Sequence, residues 1–294
     1  MATSNMQGKI CLITGSSSGI GKVTARELAT SGATVVLVCR NRAKGEAAQV
    51  EIQEVSGNNR VDLIVADLAE LSQVRRAASE FLQKYSQLHV LIHNAGAIHG
   101  ERQVTSDGLE TTFAANYLAP FLLTELLLDV LKASAPARII NVSSDGHARG
   151  YIDFADLQGT HHYSFLKAYT QSKLAQIYFT YELADRLKGT GITVNTLHPG
   201  LVASNFNSGT RGIAHSVAAL IYFFTGISVE KGARTTLFLA TSPEAEEVSG
   251  KYFVNCKPIP SSQLSYDVTI RQRLWTVSEE LIRQNELSRL LPEK

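Results

Sequence analysis

The sequence is poor in features that would each point to a particular class of protein. Its 294 residues contain three cysteines, Cys11, Cys39 and Cys256, which are odd in number and widely separated. A disulfide framework or a zinc site needs paired or clustered cysteines, so we expect free thiols and a reducing compartment. The formal net charge of +1 at pH 7 gives no reason to expect a nucleic-acid partner.

Long apolar runs are also scarce. The N-terminal stretch MATSNMQGK lacks the apolar centre of a signal peptide. The nearest approach to a membrane span, residues 213–227, is shorter than the roughly 18 apolar residues that a spanning helix needs. We therefore expect a soluble, cytoplasmic protein without a membrane anchor. The segment 213–227 is predicted to be a helix that covers an apolar pocket, touches a membrane surface or belongs to the core.

What the sequence does contain is a regular alternation of strand and helix patterns. Six short apolar runs rich in β-branched residues are separated by segments of helical periodicity: KICLIT, ATVVLVC, VDLIVA, LHVLIHN, ARIINVS and GITVNTL. Runs that are apolar throughout indicate strands covered on both faces. The pattern predicts an α/β fold over residues 1–294, namely a single-domain doubly wound (Rossmann) parallel sheet with helices on both faces.

The alternation weakens beyond Pro199. An apolar helix near 213–227 and a second helix near 229–241 are predicted there. The strand-like run KYFVN follows, and a polar helix near 263–289 begins a C-terminal extension that reaches residue 294.

A loop of small residues, TGSSSGIG (Thr14–Gly21), connects the first predicted strand to a helix. Small residues let the backbone approach a pyrophosphate, and the helix N-terminus offers free N–H groups. A tight strand–helix turn without a ligand is the alternative, but the position after the first strand of a parallel fold favours a dinucleotide. The candidate contacts are Gly15, Ser17, Ser18, Gly19, Ile20 and Gly21.

The end of the second predicted strand, VLVCRN, indicates which dinucleotide binds. A carboxylate at this point would accept hydrogen bonds from the ribose hydroxyls of NAD. The sequence instead has Arg40 and Asn41, and an arginine can pair with the 2′-phosphate of NADP through its planar guanidinium. A solvent-exposed arginine at a strand end is the alternative. The sequence favours NADP(H), with Lys22 and Arg42 as additional cations.

Five motifs now suggest a family. TGSSSGIG, NAG (Asn94–Gly96), NVSS (Asn141–Ser144), a Tyr-xxx-Lys pair and HPG (His198–Gly200) occur in this order. With its motifs in this order and at these spacings, the chain resembles the short-chain dehydrogenases/reductases over roughly residues 8 to 255. The runs VCRN and HNAGA, with the wide interval between serine and tyrosine, are most similar to the retinol dehydrogenase-like branch.

The resemblance implies an NADP(H)-dependent oxidoreductase that interconverts a carbonyl and an alcohol. Its substrate would be hydrophobic, either retinal- or retinol-like or another apolar aldehyde or ketone, with residues 201–230 as the substrate loop. A carbonyl or steroid-type reductase with a different substrate is an alternative, and so is a non-catalytic NADP(H)-binding regulator. The resemblance also implies a homodimer, because helices near 108–132 and 164–187 form the interface in many relatives.

The Tyr-xxx-Lys pattern occurs twice, as Tyr163 with Lys167 and as Tyr169 with Lys173. Family members have small residues just before the lysine, which Ser172 satisfies and the Phe-Leu pair before Lys167 does not. On one helix the two tyrosines would lie about 240° apart, so they could not share a catalytic face. The interval from Ser144 also fits the second pair. We therefore predict Tyr169 and Lys173 as catalytic, and Tyr163 and Lys167 as surface or pocket-rim residues.

The resemblance and the chemistry of carbonyl reduction together imply four catalytic roles. Tyr169 would give a proton to the substrate oxygen, or take it in the oxidation direction. A free phenol has a pKa near 10, and the ammonium of Lys173 beside it would favour the phenolate. Ser144 would polarise the substrate oxygen. Asn116, in FAANYLAPF, would help to hold a water that leads from Lys173 to solvent, or would make a plain polar contact within its helix.

Further cofactor contacts follow from family positions. The adenine edge would meet Asp67 and Leu68, and other segments would line the nicotinamide side: Asn94, Ala95, Gly96, Pro199, Gly200, Val202 and Ser204. His93 and His198 end two predicted strands, where single histidines usually pack or make hydrogen bonds. Because no ligand spacing accompanies them, we predict no metal site.

Overall fold

The computed structural model describes residues 5–200 and 228–290. The strands are β1 (Ile10–Thr14), β2 (Thr34–Cys39), β3 (Val61–Val65), β4 (Val90–His93), β5 (Ala137–Val142), β6 (Ile192–His198), β7 (Tyr252–Val254) and β8 (Lys257–Ile259). The helices are α1 (Gly19–Thr30), α2 (Arg42–Ser56), α3 (Leu71–Lys84), α4 (Thr111–Ala133), α5 (Phe165–Arg186), α6 (Val229–Thr241) and α7 (Val268–Leu290).

The described part of the chain forms one eight-stranded sheet with the order β3-β2-β1-β4-β5-β6-β7-β8. All neighbours pair in parallel except β7 and β8, which form an antiparallel hairpin. The strand order reverses between β1 and β4, and a crevice for ligands opens at the carboxyl ends of the strands at such a point. The predicted doubly wound α/β fold is confirmed.

Helices cover both faces of this sheet. On one face the core contains α3, α4, α5 and α7, with the fully buried rings of Phe81, Phe113, Phe121 and Phe179. On the other face, side chains of α1, α2 and α6 pack against the sheet. Burial on both faces explains why apolar residues predominate in strands β1–β5, which is the pattern that made them recognisable in the sequence.

The short strand β8 was not predicted from the sequence. Its three residues, Lys257–Ile259, are all exposed, so they carry no apolar pattern. The hairpin to β7 is made by Asn255 and Cys256, which both have positive φ angles, 50° and 63°. Two residues with positive φ give the turn whose twist matches paired antiparallel strands.

Helix α4 corrects one expectation from the sequence. By length and composition it could cross a membrane, with a mean hydropathy of 1.4 over its most apolar window, and 72% of that window is buried in the protein. The sequence reading took residues 213–227 as the nearest approach to a span and overlooked this helix, because polar residues such as Asn116 and Glu125 divide its apolar run. The cytoplasmic location stays a prediction.

Helix α7 covers the outer faces of α4 and α5. The ring of Trp275 lies 4.7 Å from the ring of Phe121 and 5.9 Å from that of Phe179. Nearby, Arg271 Nε lies 2.8 Å from Glu182 Oε2 in a largely buried ion pair. These are the two helices on which the predicted homodimer interface rests, and within the chain α7 packs against both of them. The homodimer stays a prediction.

Candidate active site

The carboxyl ends of the parallel strands bring most of the predicted site residues to one edge of the sheet. Gly15 follows β1, Arg40 follows β2, Asn94 follows β4 and Pro199 follows β6. Ser144 lies just after β5, and helix α5 supplies Tyr169 and Lys173 beside it. Positions that are far apart in the sequence therefore meet at the crevice of the doubly wound sheet.

The loop after β1 and the first turn of α1 each have room only for glycine at one position. A Cβ on Gly21 would lie 2.4 Å from both Asn94 Nδ2 and the carbonyl oxygen of Gly15, which is closer than real side chains approach. Gly15 has a φ of +66°, and a Cβ on it would lie 2.8 Å from the Cα of Ala95. The backbones of this loop and of the β4–α4 loop thus touch each other directly.

The start of helix α1 suits an anion. The N-terminal cap is Ser18, whose side chain makes no capping hydrogen bond with any described residue, and the first turn contains no acidic side chain. Backbone N–H groups and the positive end of the helix dipole therefore lie at the crevice, and the first turn itself adds no carboxylate there. Gly19 and Ile20 of this turn are partly exposed, and Ser17 hydrogen-bonds with Cys39. This geometry fits the pyrophosphate of a dinucleotide.

Asn94 fixes the glycine loop in place. Its Nδ2 donates to the carbonyl oxygens of Thr14 (3.0 Å) and Gly15 (3.1 Å). The backbone N–H groups of Asn94 and Ala95 both donate to Thr14 Oγ1 over 3.0 Å. The side-chain amide of Asn94 is thus bonded within the protein. Within the predicted NAG segment, Gly96 is the exposed residue. Thr14 has a bridging role that the sequence did not reveal, although a hydroxyl at the end of an apolar strand was the available signal.

The predicted adenosine end contains one exposed cation close to a carboxylate. Arg40 is 73% exposed in its side chain, and its Nη1 lies 3.7 Å from Asp67 Oδ2. Asn41 Oδ1 caps helix α2 by accepting from the N–H of Lys44 over 2.9 Å. Leu68 is buried. Arg40 is therefore accessible to a phosphate, whereas Asn41 already serves the backbone.

The two additional cations named from the sequence are engaged elsewhere. Lys22 Nζ lies 2.9 Å from both carboxylate oxygens of Glu51. Arg42 Nη1 pairs with Glu46 Oε1 at 3.5 Å, one turn along the same helix. All three cations lie near a carboxylate, but Arg40 directly follows β2 and has the longest ion-pair distance, so it is the stronger candidate for a 2′-phosphate.

Ser144 and Tyr169 face each other across Gly146. A Cβ built on Gly146 would lie 3.4 Å from Ser144 Oγ and 3.4 Å from Tyr169 Cε1, so both groups border the same small space. Ser144 Oγ accepts from the N–H of Gly146 and donates to Asp145 Oδ1, each over 3.1 Å. The preceding Ser143 is buried and donates to the carbonyl oxygen of Lys173. Of the two serines of NVSS, Ser144 is the one that reaches the crevice.

Lys173 lies buried next to Tyr169. Its Nζ is 5.8 Å from the centre of the Tyr169 ring and donates to the carbonyl oxygen of Val142 (3.1 Å) and to Gln176 Oε1 (3.0 Å). Burial lowers the pKa of Lys173 to about 7, because the charged ammonium loses its water. Gln176 is a further contributor that sequence motifs do not identify.

Asn116 joins the loop after β4 to helix α5. It stands in a π-helical turn, Ala114–Leu118, and such turns are frequent at functional sites. Its Oδ1 accepts from the N–H of Ala97 over 2.7 Å, and its Nδ2 donates to Ser172 Oγ over 2.9 Å. Ser172 in turn donates to the carbonyl oxygen of Tyr169. Lys173 is not a direct partner of Asn116 in the described chain, so the predicted water path stays a prediction.

The first Tyr-xxx-Lys pair is placed differently from the second. Helix α5 begins at Phe165, so Tyr163 precedes it, and the argument from helical phase does not apply. Tyr163 donates its hydroxyl to the carbonyl oxygen of His99 (2.9 Å), and Lys167 Nζ pairs with Asp153 Oδ2 (2.8 Å). Both residues are half-buried, and their place at the surface or at a pocket rim stays a prediction.

The two strand-end histidines are held by the protein. His93 is buried with Nε2 2.8 Å from Thr124 Oγ1, and burial lowers the pKa of His93 to about 3. His198 Nδ1 accepts from the N–H of Asp145 over 3.2 Å. Residues 5–200 and 228–290 contain no cluster of three or more histidine, cysteine, aspartate or glutamate side chains suited to a metal.

Part of the predicted nicotinamide side lies outside the described residues. Gly200, which follows Pro199, has a φ of +90°, a conformation that favours glycine. Val202, Ser204 and the predicted helix 213–227 all fall in the undescribed segment, which also includes most of the predicted substrate loop.

Comparison with known proteins identifies the family. A sequence profile of the short chain dehydrogenase family matches residues 9–212. Retinol dehydrogenase 12 of Mus musculus is 44% identical over 284 residues, which cover 96% of this chain and 89% of that protein. The chain belongs to the short-chain dehydrogenase family. Short-chain dehydrogenases are oxidoreductases that use a nicotinamide dinucleotide and act on alcohols and carbonyls, and this one falls in the retinol dehydrogenase-like branch.

Solved structures of similar proteins agree with the fold of this short-chain dehydrogenase. A putative uncharacterized protein from Mycobacterium Paratuberculosis has a TM-score of 0.77 at 32% identity, covering 96% of each chain. A short chain dehydrogenase from Burkholderia cenocepacia, solved in complex with NADP, has a TM-score of 0.68 at 26% identity and covers 85% of this chain and 96% of that one.

Proposed function

We propose that this short-chain dehydrogenase interconverts a carbonyl and an alcohol on a hydrophobic substrate with NADP(H), using Tyr169 as the general acid or base. The observation that carries the proposal is the meeting of three groups at the carboxyl edge of the sheet. Ser144 Oγ and the Tyr169 ring border the same space beside Gly146, and the Lys173 ammonium lies 5.8 Å from the centre of that ring.

Each side chain has a role that its position supports. When bound, the nicotinamide would donate hydride to the substrate carbon, or accept it in the oxidation direction. In reduction the carbonyl oxygen gains a proton, which the Tyr169 hydroxyl gives. The hydroxyl of Ser144 donates a hydrogen bond to that oxygen and stabilises the negative charge that develops on it. The ammonium of Lys173 stabilises the phenolate that Tyr169 becomes.

The residues at the adenosine end support NADP(H) over NAD(H). No described carboxylate directly follows β2, the position where one would bind the ribose hydroxyls of NAD, and the exposed guanidinium of Arg40 stands there instead. A 2′-phosphate would compete with Asp67 for Arg40, and the doubly charged group at short range should prevail over a carboxylate 3.7 Å away. The NADP complex of the Burkholderia relative is consistent with this choice.

The hydrophobic substrate rests on the comparison with retinol dehydrogenases. The relative from Mus musculus is named for retinol, a long apolar alcohol, and the similarity extends over 96% of this chain. We therefore propose a retinal-like or other apolar aldehyde or ketone. A non-catalytic NADP(H)-binding regulator is disfavoured, because Asn116, Ser144, Tyr169 and Lys173 are all present.

The two tyrosines provide a matched test. Purified Tyr169→Phe, Tyr163→Phe and unaltered protein are compared for NADPH oxidation with a panel of aldehydes and ketones that includes all-trans-retinal. We expect Tyr169→Phe to lose at least about 100-fold in kcat, the scale of general acid catalysis, while it still binds NADPH. Tyr163→Phe loses one hydrogen bond to a backbone carbonyl and should keep its activity. Full activity in Tyr169→Phe, or no activity of the unaltered protein on any panel member, would refute the proposal.

A further inference from the structure

The peptide group that joins Ser144 to Asp145 is held on both sides by histidine side chains. Its carbonyl oxygen lies 2.7 Å from Nδ1 of His147. Its N–H donates to Nδ1 of His198 over 3.2 Å. Both polar atoms of a single peptide plane, immediately after the candidate catalytic serine, are therefore bound by imidazole rings. We call His147 and His198 the histidine clamp.

The partners of each ring determine its tautomer. A carbonyl oxygen can only accept, so Nδ1 of His147 must carry the hydrogen. The other nitrogen of His147, Nε2, accepts from the backbone N–H of Ser262 over 3.0 Å. His198 is the reverse case, since its Nδ1 accepts from the Asp145 N–H and its hydrogen must be on Nε2. Each ring is thus neutral, with one defined tautomer.

The clamp ties the serine to two distant elements. His147 lies in the short helical turn Asp145–Arg149, where its ring is buried against Tyr252 at 4.9 Å between ring centres. Through Ser262 it reaches the segment that leads into α7. His198 is the last residue of β6 and directly precedes Pro199. The carbonyl side of the peptide is therefore fixed by the C-terminal part of the chain, and the N–H side by the central sheet.

Rotation of this peptide plane would disturb the serine hydroxyl. Ser144 Oγ accepts from the N–H of Gly146, which is one peptide beyond the clamped plane, and in this arrangement it lies beside Tyr169. We propose that His147 and His198 are positioning residues of the reaction, which hold the Ser144–Asp145 peptide and thereby aim Ser144 Oγ at the substrate oxygen. The inference rests on the role proposed above for Ser144.

Protonation would open the clamp. A doubly protonated imidazole has no acceptor, so His147 would lose the Ser262 N–H and His198 would lose the Asp145 N–H. Burial lowers the pKa of both rings, while the Asp145 carboxylate partly opposes this effect on each. The titratable groups that face the pair are Asp145, Tyr252 and the two rings themselves. We expect kcat to fall at a pH below the ordinary histidine value of 6.5.

The kinetic test replaces each ring with leucine, and a further variant replaces the His198 ring with asparagine, a hydrogen-bond acceptor that does not titrate. His147→Leu and His198→Leu should each lower kcat by about 10- to 100-fold, the effect of misplacing a catalytic group by a fraction of an ångström to an ångström. His198→Asn offers Oδ1 to the Asp145 N–H and cannot be protonated. It should therefore recover most of the lost kcat and no longer show the part of the acid decline that His198 causes.

His89 provides a matched control. Its Nδ1 also accepts a backbone N–H, that of Ile10 over 3.1 Å, but at the amino ends of the strands, away from the crevice. His89→Leu should lose stability without a change in kcat. If His147→Leu and His198→Leu behave like His89→Leu, with normal kcat and a normal pH profile, the clamp has no positioning role and the inference is overturned.

A spectroscopic readout does not depend on the variants folding. Two-bond ¹H–¹⁵N correlation spectra of the imidazole rings distinguish the two neutral tautomers and the protonated form. At neutral pH we expect a hydrogen on Nδ1 for His147 and on Nε2 for His198. The opposite tautomer or a protonated ring at either position would contradict the clamp.

Ser144→Ala separates failure of the clamp from failure of the proposed site. If Ser144→Ala keeps full activity, the role proposed for Ser144 is wrong and the clamp has nothing to position. If Ser144→Ala is inactive while both leucine variants are normal, the proposed function stands and only the clamp is refuted.

Discussion

Lys173 combines a charged group with complete burial, and this should cost the fold stability in a way that depends on pH. The perturbation is Lys173→Met, which keeps the length of the side chain and removes its charge. In the unfolded chain the lysine titrates at its ordinary value of 10.5, but in the fold burial lowers the pKa of Lys173 to about 7. Between these two values the unfolded chain binds more protons, so stability rises with pH across this window.

The size of the effect follows from the two values. A pKa that falls from 10.5 to about 7 corresponds to about 5 kcal/mol of destabilisation once both states are protonated, below about pH 7. At about pH 9.5 only about 1 kcal/mol of this remains, and at about pH 7 itself, where half the folded molecules are protonated, it is about 4 kcal/mol. The free energy of unfolding of Lys173→Met should therefore rise by about 3 kcal/mol relative to that of the unaltered protein when the pH is lowered from about 9.5 to about 7.

The hydrogen bonds that Lys173→Met removes do not affect the comparison of the two pH values. Methionine leaves the Val142 carbonyl oxygen and Gln176 Oε1 without their donor, at a cost of about 1–3 kcal/mol each. This cost is the same at both pH values, so it cancels in the difference between them. The net stability of the variant at one pH is therefore uninformative, and the change between the two pH values carries the test.

Urea unfolding of the cofactor-free proteins, followed by circular dichroism at both pH values, measures this change. Lys167→Met is the matched control, because Lys167 is half-buried and paired with Asp153, which raises the pKa of Lys167. Lys167 stays protonated in both states up to about pH 9.5, so its replacement should give a difference near zero. If Lys173→Met also gives a difference near zero, Lys173 titrates normally in the fold and the burial argument is refuted.

Three other changes test the cofactor site and the C-terminal helix. Arg40→Glu should lower kcat/KM for NADPH by about 10- to 100-fold, the value of a charged hydrogen bond, with little loss for NADH; equal losses would exclude a 2′-phosphate contact. Gly21→Ala places a Cβ 2.4 Å from the Gly15 carbonyl oxygen, so NADPH binding measured by fluorescence should be lost or strongly weakened, and normal affinity would contradict the tight loop. Trp275→Ala should cost about 3–5 kcal/mol in urea unfolding, and a loss below about 1 kcal/mol would show that α7 is weakly docked.

The sequence predicted the fold well because burial left a clear pattern. Strands β1–β6 are mostly buried, and apolar residues predominate in β1–β5. The same reasoning missed β8, whose residues are exposed, and misjudged helix α4, whose apolar run is divided by Asn116. The strand β8 was missed because tertiary pairing, not an apolar pattern, makes it a strand, whereas α4 was overlooked because polar residues within it conceal the length of its apolar run.

For the candidate site, the catalytic residues could be predicted from the sequence, whereas the contacts that position them could not. Motif order predicted that Ser144, Tyr169 and Lys173 would meet, and the structure brings them together. The argument from helical phase that helped to choose Tyr169 was wrong in its premise, since Tyr163 lies before the helix begins. The contacts of Asn94 with the glycine loop could not be predicted, because hydrogen bonds to backbone atoms leave no residue pattern of their own.

Those backbone contacts suggest how stability and activity are divided in this protein. Asn94, Asn116, His147 and His198 each bind peptide groups of loops at the carboxyl edge of the sheet. Such loops contribute little apolar burial, so their positions depend on a few directional bonds. A core change such as Trp275→Ala removes packing and should lower the free energy of unfolding while the remaining folded molecules stay active. Replacement of a loop-binding side chain should do the reverse, since most of the fold survives but the reacting groups are no longer aligned.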